Sequence, residues 1–333
     1  MFDGKSILVT GGTGSFGNVF ASMTLQKYKV KKIVIFSRDE MKHWNMALKY
    51  TDKRIEFVIG DVRDKDSLSR ALHGIDYVVH AAATKIVPFA ETNPFECIKT
   101  NINGAMNLIE SCINSNVKKV VALSTDKASN PINLYGATKL ASDKLFIAAN
   151  SKKNDNNIKY SVVRYGNVMG SRGSVIPFFM KQKNNGVLPI TDTRMTRFMI
   201  TLPQAVDLVW HAFEDMEGGE IYVKKIPSMN ITDIAKAVNP EAEHKIIGIR
   251  PGEKIHEQMI GYEDALTTFE YKNHYKILPS INGWSEDKDR IKDGIKVTPD
   301  FTYSSNHNKE WMSVNELQEW ISSQEKLKHI LDV

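Results

Sequence analysis

The run Ser6-Ile-Leu-Val-Thr-Gly-Gly-Thr-Gly-Ser-Phe-Gly17 carries the decision about the fold. A short apolar stretch over 5–10 reads as a strand, and a helical pattern over 15–27 follows it. Between them the glycines at positions 11, 14 and 17 give Gly-x-x-Gly-x-x-Gly, a variant of the Gly-x-Gly-x-x-Gly dinucleotide fingerprint. The physical demand is the same in both. Glycine permits a tight turn and close backbone approach to a pyrophosphate, and the free N–H groups at the helix start face the anion. Gly11, Thr13, Gly14, Ser15, Phe16 and Gly17 are therefore the candidate phosphate cradle. The bland reading is a glycine turn that binds nothing; strand, loop and helix in the right order argue against it.

Composition sets the bounds around that loop. A chain of 333 residues holds about two domains at the usual ~150 residues each, long enough to bury a core without staples. With 42% hydrophobic and 25% charged residues, it is not a disordered, collagen-like or coiled-coil chain. Cys97 and Cys112 are too few for a disulfide scaffold and lack metal-ligand spacing, so a reducing compartment and no metal are expected. The net charge of +5 is modest and dispersed, without the basic stripe of a nucleic-acid binder, and it suits an anionic small substrate. No stretch approaches the ~18 consecutive apolar residues of a membrane span. Ile7-Leu8-Val9 is too short for the apolar region of a signal peptide. The expectation is a cytoplasmic protein with no membrane or nucleic-acid partner.

Apolar runs over 32–37, 54–59, 77–82, 117–124 and 160–165 continue the series, with helical stretches between them. Near-continuous Val and Ile, rather than alternation, marks strands covered on both faces. The repetition predicts an α/β fold of Rossmann type, a doubly wound parallel sheet. The rhythm breaks after about Met169, where Pro177, Pro189, Pro203 and Pro227 punctuate shorter elements and helices are predicted over 201–213 and 314–331. This gives a dinucleotide-binding domain over 1–168, to which some later segments return. A smaller, interleaved substrate-binding region with a C-terminal tail occupies 169–333.

The carboxyl ends of the predicted strands select the cofactor. NAD enzymes place an acid after the second strand to hold the ribose 2′-hydroxyl. Here Ser37, Arg38 and Lys42 can instead receive a 2′-phosphate, which points to NADP. Asp39 and Glu40 read as the acidic first turn of the next helix or as competitors for that site. After the third strand, Asp61 is placed to meet the adenine amino group, with Val62 beside it. Ala81 to Ala83, Ala82 central among them, leave room for the cofactor after the fourth strand, and Lys85 is placed to reach ribose, nicotinamide or sugar. A solvated Lys85 is the bland alternative.

The fifth strand ends in Leu123-Ser124-Thr125-Asp126-Lys127, and Tyr135-Gly136-Ala137-Thr138-Lys139 follows. Tyr135 and Lys139, four apart, share a helix face. An ammonium near a phenol favours the phenolate and lowers its pKa from about 10. That would make Tyr135 a base for a substrate hydroxyl, with Thr125 hydrogen-bonding the same group. Tyr-x-x-x-Lys arises by chance in many helices; its place downstream of a phosphate cradle is what gives it weight. Asp126 and Lys127 taken alone read equally as a loop ion pair.

At these residues the chain resembles the extended short-chain dehydrogenases/reductases that act on nucleotide sugars, from Ser6 to about Glu257. Asp126-Lys127 after Thr125 is similar to the inverting UDP-N-acetylglucosamine 4,6-dehydratases, whereas retaining dehydratases carry Asp-Glu after the Thr. Asn130-Pro-Ile-Asn-Leu-Tyr-Gly-Ala-Thr-Lys139, Val163-Arg-Tyr-Gly-Asn-Val168, Ser171-Arg-Gly-Ser-Val-Ile-Pro177, Met195-Thr-Arg-Phe198 and Ile249-Arg-Pro-Gly-Glu-Lys254 look like the group that opens the pseudaminic acid pathway. Tyr135 stands where a related capsule-pathway group has Met.

The resemblance implies a chemistry. Tyr135, with Lys139 and Thr125, would take the C4 hydroxyl proton as hydride passes to tightly bound NADP. A neutral Lys127 amine would remove the C5 proton, and a protonated Asp126 would release the C6 hydroxyl as water. Hydride returns to C6 and a proton reaches the opposite face of C5. It further implies that Asn167 contacts the sugar nucleotide, Val168 the nicotinamide region, and Val175, Ile176 and Pro177 the uracil side. Arg172, Arg197 and Arg250 are candidates for diphosphate or uridine, and Glu253 for the uridine ribose. A homo-oligomer, a hexamer by resemblance, is expected. The competing readings are a 4-epimerase or other nucleotide-sugar dehydratase, and a non-catalytic NADP-sensing regulator. An epimerase needs no acid and base at 126 and 127; regulators on this fold commonly lack the intact Tyr-x-x-x-Lys.

Overall fold

The computed structural model describes residues 1–151, 157–171 and 173–331, with side chains as far as Gln324. Two units are each assembled from separate stretches of chain. The first comprises 1–165, 202–225 and 259–302. Its strands are β1 (Ser6–Thr10), β2 (Lys32–Ser37), β3 (Ile55–Ile59), β4 (Tyr77–His80), β5 (Lys119–Thr125) and β6 (Lys159–Tyr165), with helices α1 (Ser15–Lys27) and α2 (Glu40–Lys49) after the first two. The sheet runs β3-β2-β1-β4-β5-β6. Strand Ile221–Lys224 then joins parallel to β6, and His274–Ile277, Thr268–Glu270 and Ile295–Lys296 complete the sheet antiparallel. This is the predicted Rossmann-type fold. All five β1 residues are buried, as the near-continuous apolar run requires.

Order reverses between β1 and β4, the switch point where open α/β sheets bind ligands. Two strand ends there differ from the sequence expectation. β4 stops at His80 because Ala81 and Ala82 turn against the glycine loop: Ala82 N donates to the Thr10 side chain, Oγ1, at 3.3 Å rather than continuing the ladder. β5 runs on to Thr125, in register with Tyr165. On one face, α1 packs against helix Leu202–Asp215, where Trp210 Nε1 donates to Thr24 Oγ1 at 3.3 Å. Phe2 meets Phe20, Tyr28, Tyr77 and Phe213 edge-on and closes the amino-terminal end of that layer.

The second unit comprises 166–201, 226–258 and 303–333. Thr196–Ile200 lies between Asn167–Val168 and Ser228–Asn230 in a three-stranded sheet, and Val187–Ile190 pairs parallel with Glu243–Ile246. Helices Val175–Gln182, Ile231–Val238 and Val314–Leu331 supply the other layer. Met195, Met199 and Met229 are core residues here, packed with Ile234, Leu317 and Ile321. Unbranched methionines fill the irregular gaps that short elements leave. Among the described residues no helix is long and apolar enough to cross a membrane.

Candidate active site

The glycine loop is built by close backbone approach. Gly11 has φ +65°, and a Cβ on it would lie 2.8 Å from both N and Cα of Ala82. Only glycine lets the loop after β1 lie against the end of β4. Asn18 Nδ2 donates to the carbonyls of Thr13 and Gly14 at 3.2 and 3.0 Å and folds the loop onto α1. Thr13 Oγ1 lies 2.8 Å from Ser37 Oγ, which ties the loop to the end of β2. Gly14 brings no capping side chain and the first turn of α1, from Ser15 through Phe16 and Gly17, carries no acid. The positive end of the helix is thus left for an anion.

At the end of β2 the acids belong to the next helix. Asp39 caps α2, accepting from Lys42 N at 3.0 Å and pairing with Lys42 Nζ at 2.7 Å. Those Lys42 contacts hold its carboxyl below the usual range. Arg38 is half-exposed, with its guanidinium 3.7 Å from Asp61 Oδ2. Asp61 also accepts from Arg63 Nε and Nη2 at 2.8 and 2.6 Å. Burial works to raise the Asp61 carboxyl, but the Arg63 hydrogen bonds and the Arg38 charge outweigh it and the carboxyl stays low. Val62 is buried against Gly104. Arg63, which spacing alone did not single out, thus stands with Arg38 at this edge.

The chemistry-bearing residues converge where β5 ends. Thr125 is the last strand residue, and Asp126–Ala128 form a tight 3₁₀ turn. Thr125 Oγ1 accepts from Lys127 N at 3.3 Å and donates to Asp126 Oδ1 at 2.9 Å. Lys127 Nζ donates to the same Oδ1 at 3.0 Å. Asp126 is 1% exposed, whereas the Lys127 side chain is 24% exposed. Helix Leu134–Ala149, capped by Asn133 Oδ1 on Gly136 N at 2.8 Å, carries Tyr135 and Lys139 on one buried face. A Cβ on Gly136 would lie 2.2 Å from the Lys127 carbonyl oxygen, so the helix start and the 126–128 turn are in backbone contact.

The electrostatics differ from the sequence expectation. Burial pushes the Tyr135 phenol up to about 12, against the Lys127 charge and a hydrogen bond with Thr125. Depth in the protein, rather than Lys139, sets the phenol's starting point. Lys139 is itself lowered by burial, with the Asp143 charge opposing.

Several residues at the site carried no motif signal. Asp143 is one helical turn beyond Lys139, so the i, i+4, i+8 pattern was available to find it. Asn101, in a single π turn over Lys99–Asn103, accepts from Thr84 N at 2.8 Å and donates to Thr84 O and Thr138 Oγ1, both at 3.0 Å. It thereby clamps the residue before the exposed Lys85 to the tyrosine helix. His80 is buried and its Nδ1 lies 2.8 Å from Thr10 Oγ1, a core contact.

The remaining candidates belong to the second unit, apart from Arg172, which lies outside the described residues. Asn167 and Val168 are half-buried, and the Asn167 side-chain oxygen has no hydrogen-bond partner. Val175, Ile176 and Pro177 begin a helix, with Ile176 buried. Arg197 is buried, its Nη1 donating to the carbonyls of Thr196 and Ile255 at 2.8 and 3.1 Å and its Nε 3.7 Å from Glu257. Arg250 is exposed, and its backbone N–H donates to Glu253 Oε2 at 3.4 Å.

A family described as polysaccharide biosynthesis proteins matches residues 7–279. The chain is 54% identical, over 98% of its own length and 99% of the relative's, to a protein of Campylobacter jejuni named UDP-N-acetylglucosamine 4,6-dehydratase (inverting). It is 41% identical, over 99% of its length and 100% of the relative's, to a protein of Rickettsia conorii named UDP-glucose 4-epimerase. Among solved structures, Pen from Bacillus thuringiensis superposes with a TM-score of 0.88 at 36% identity, covering 97% of this chain and 98% of that one. The chain therefore belongs to the polysaccharide biosynthesis protein family, within the extended short-chain dehydrogenases/reductases.

Proposed function

We propose that this protein is an inverting UDP-N-acetylglucosamine 4,6-dehydratase that uses NADP and yields UDP-2-acetamido-2,6-dideoxy-β-L-arabino-hex-4-ulose. The observation that carries the reading is the buried Asp126 carboxylate, bonded to Lys127 Nζ and Thr125 Oγ1 on the turn that meets the start of the Tyr135 helix. A simple 4-epimerase has no use for a second acid and base there. The 54% identity to a relative of that name supports the same choice over the epimerase names at 41%.

A dinucleotide fits the chain's own features: a glycine cradle that a Cβ would fill, and an uncapped helix start without acids. The loop from Gly11 to Gly17 would hold the pyrophosphate, Asp61 and Val62 the adenine, and Ser37, Arg38 and Lys42 a 2′-phosphate. When bound, the dinucleotide supplies a reversible hydride acceptor, charged in its oxidised form, that takes the C4 hydride and returns it at C6. Tyr135 takes the C4 hydroxyl proton, with Thr125 hydrogen-bonded to the phenol and the Lys127 charge favouring phenolate.

The Asp126–Lys127 contact then divides the elimination. Moving one proton across the 3.0 Å contact turns ammonium and carboxylate into amine and carboxylic acid. With Asp126 1% exposed, desolvation works against its charged form and eases that transfer. The amine takes the C5 proton, which the C4 ketone has made acidic. The acid gives its proton to the C6 oxygen as the C–O bond breaks and water leaves. The pair ends as ammonium and carboxylate, its starting state; C5 then takes a solvent-derived proton on the opposite face, which gives inversion, and Tyr135 releases the C4 proton to solvent.

The resemblance extends the reading to the first step of pseudaminic acid biosynthesis for flagellin or surface glycosylation, in a cytoplasmic homo-oligomer, a hexamer by that resemblance. Cys97 and Cys112, free and buried, suit a reducing compartment. Conversion of UDP-N-acetylglucosamine in deuterated water tests the function: one deuterium is expected at C5, with C5 inverted and the 6-hydroxyl lost. A product that keeps the 6-hydroxyl, as a 4-epimerase gives, or one unlabelled at C5 overturns it.

A further inference from the structure

We propose that Asp143 and Arg164 are positioning residues for the Tyr135–Lys139 pair, a buried carboxylate and guanidinium that hold Lys139 and the end of β5 in one arrangement. The proposal rests on the dehydratase reading for what Tyr135 does. The placement of Asp143 and Arg164 is independent of it.

Tyr135, Lys139 and Asp143 succeed one another at i, i+4 and i+8 along one buried face of helix Leu134–Ala149. Lys139 is 3% exposed, and the opposite charge that acts on it is Asp143. Asp143 Oδ2 accepts from Ser124 Oγ at 2.7 Å, and Ser124 directly precedes Thr125, Asp126 and Lys127. The same oxygen lies 3.5 Å from Nη2 of Arg164, which arrives on β6. Nη1 of Arg164 donates to the Met259 carbonyl at 2.7 Å and reaches Asp264 Oδ2 at 3.3 Å. One carboxylate thus joins the tyrosine helix, β5 and β6.

The charges alternate along this line: Lys139, Asp143, Arg164, Asp264. Each buried member depends on its neighbour. Burial drives the Lys139 ammonium toward the neutral amine and the Asp143 charge resists. Burial drives Asp143 toward the acid, and Arg164, Lys139 and Ser124 resist. The row ends at Asp264, 31% exposed, where water takes over. From β4, His80 also faces Lys139, but burial lowers it to about 3, so it is neutral and adds no charge. The Asp143 charge also acts on Tyr135, where it raises the phenol. Neutralising Asp143 therefore acts on two fronts: it weakens the hold of Lys139 on its proton, and it releases Ser124 beside the catalytic turn.

The first readout is in cofactor-free protein carrying ¹³Cε-labelled lysine, with the Lys139 signal assigned through Lys139→Arg. Removing an opposite charge at this range should lower the Lys139 titration midpoint by about one pH unit or more in Asp143→Asn. Arg164→Gln takes away the first of the charges that keep Asp143 ionised, so its Lys139 midpoint should also move downward. Downward shifts in both variants support the proposal; an unmoved midpoint in either variant that folds overturns it. The second readout separates steps. Asp143→Asn should slow conversion at least tenfold, with a larger isotope effect from deuterium at C4. Wash-in of solvent deuterium at C5 of the ketone product, a step that does not pass through Tyr135 or Lys139, should stay within twofold, and Asp143→Glu should recover part of the rate. Equal loss of both steps marks a general structural defect and overturns the positioning role. Absence of C5 wash-in in the wild type would count against the dehydratase reading, while the lysine titration would still decide this one.

Discussion

Gly136→Ala tests whether contact between the tyrosine helix and the Asp126–Lys127 turn sets the rate. The added Cβ would lie 2.2 Å from the Lys127 carbonyl oxygen and 3.0 Å from its carbon. Ordinary carbon–oxygen approaches are about 3.3 Å or more, so helix and turn must part by roughly 1 Å. The obstructing atom is backbone, so no side-chain rotation relieves it. Overpacking of this kind costs about 1–3 kcal/mol, and the better helix propensity of Ala returns up to about 1 kcal/mol. Stability should therefore fall only modestly. Activity should fall much further, because a displacement of about 1 Å at reacting groups costs on the order of 10²-fold. The assay pairs the rate of 4-keto product formation with urea unfolding. Ala137→Gly, one residue on and exposed, is the control: it should lose about 1 kcal/mol of stability and keep near wild-type turnover. A Gly136→Ala enzyme turning over within threefold of wild type refutes the reasoning.

Two further outcomes follow from the same geometry. Lys127→Met should abolish conversion, by about 10³-fold or more, while single-turnover oxidation at C4 remains measurable by cofactor absorbance; loss of both phases alike would deny Lys127 a separate role at C5. His80, fully buried and lowered by burial from 6.5 to about 3, must take up a proton on unfolding in acid. A group depressed in the folded state contributes stability above its unfolded pKa and loses it as pH falls. Urea titrations between pH 6.5 and 4 should therefore show stability falling, with His80 adding on the order of 1.4 kcal/mol per pH unit. An equally steep decline in His80→Asn would remove His80 as its source.

What could be read from the sequence is what lies close along the chain. The β1–glycine–α1 run, the later strands and the shared face of Tyr135 and Lys139 depend on local period, and they stand where that period puts them. Strand Ile221–Lys224 beside β6 was not legible, because nothing in four residues names a partner some sixty positions earlier. Nor was the Asp143–Arg164 contact, which spans 21 residues and joins a helix to a strand. The choice of cation acting on the phenol failed for a related reason. Spacing favoured Lys139, but the outcome depends on depth, and the Lys127 charge is the one that opposes burial at Tyr135. Arg197 shows the same limit: its fork suits a phosphate on paper, and in the folded chain two of its hydrogen bonds go to the carbonyls of Thr196 and Ile255.

The pairing of Asp126 with Lys127 turns on where β5 stops. Successive side chains in a strand point to opposite faces, so one more strand residue would drive this acid and this base apart. The chain instead leaves the ladder at Thr125, whose hydroxyl accepts the Lys127 N–H at 3.3 Å and closes a turn. In that turn the two neighbours face the same way, with Nζ 3.0 Å from Oδ1. The hydroxyl also donates to Oδ1 at 2.9 Å, so the group that shapes the turn also fixes the carboxylate within it. Valine at 125 would keep the strand and remove both bonds. The resulting enzyme should fold, since Val suits a strand end, and should retain C4 oxidation better than elimination. If Thr125→Val instead slowed both phases equally, the hydroxyl's main service would be to the phenol of Tyr135 and not to the turn.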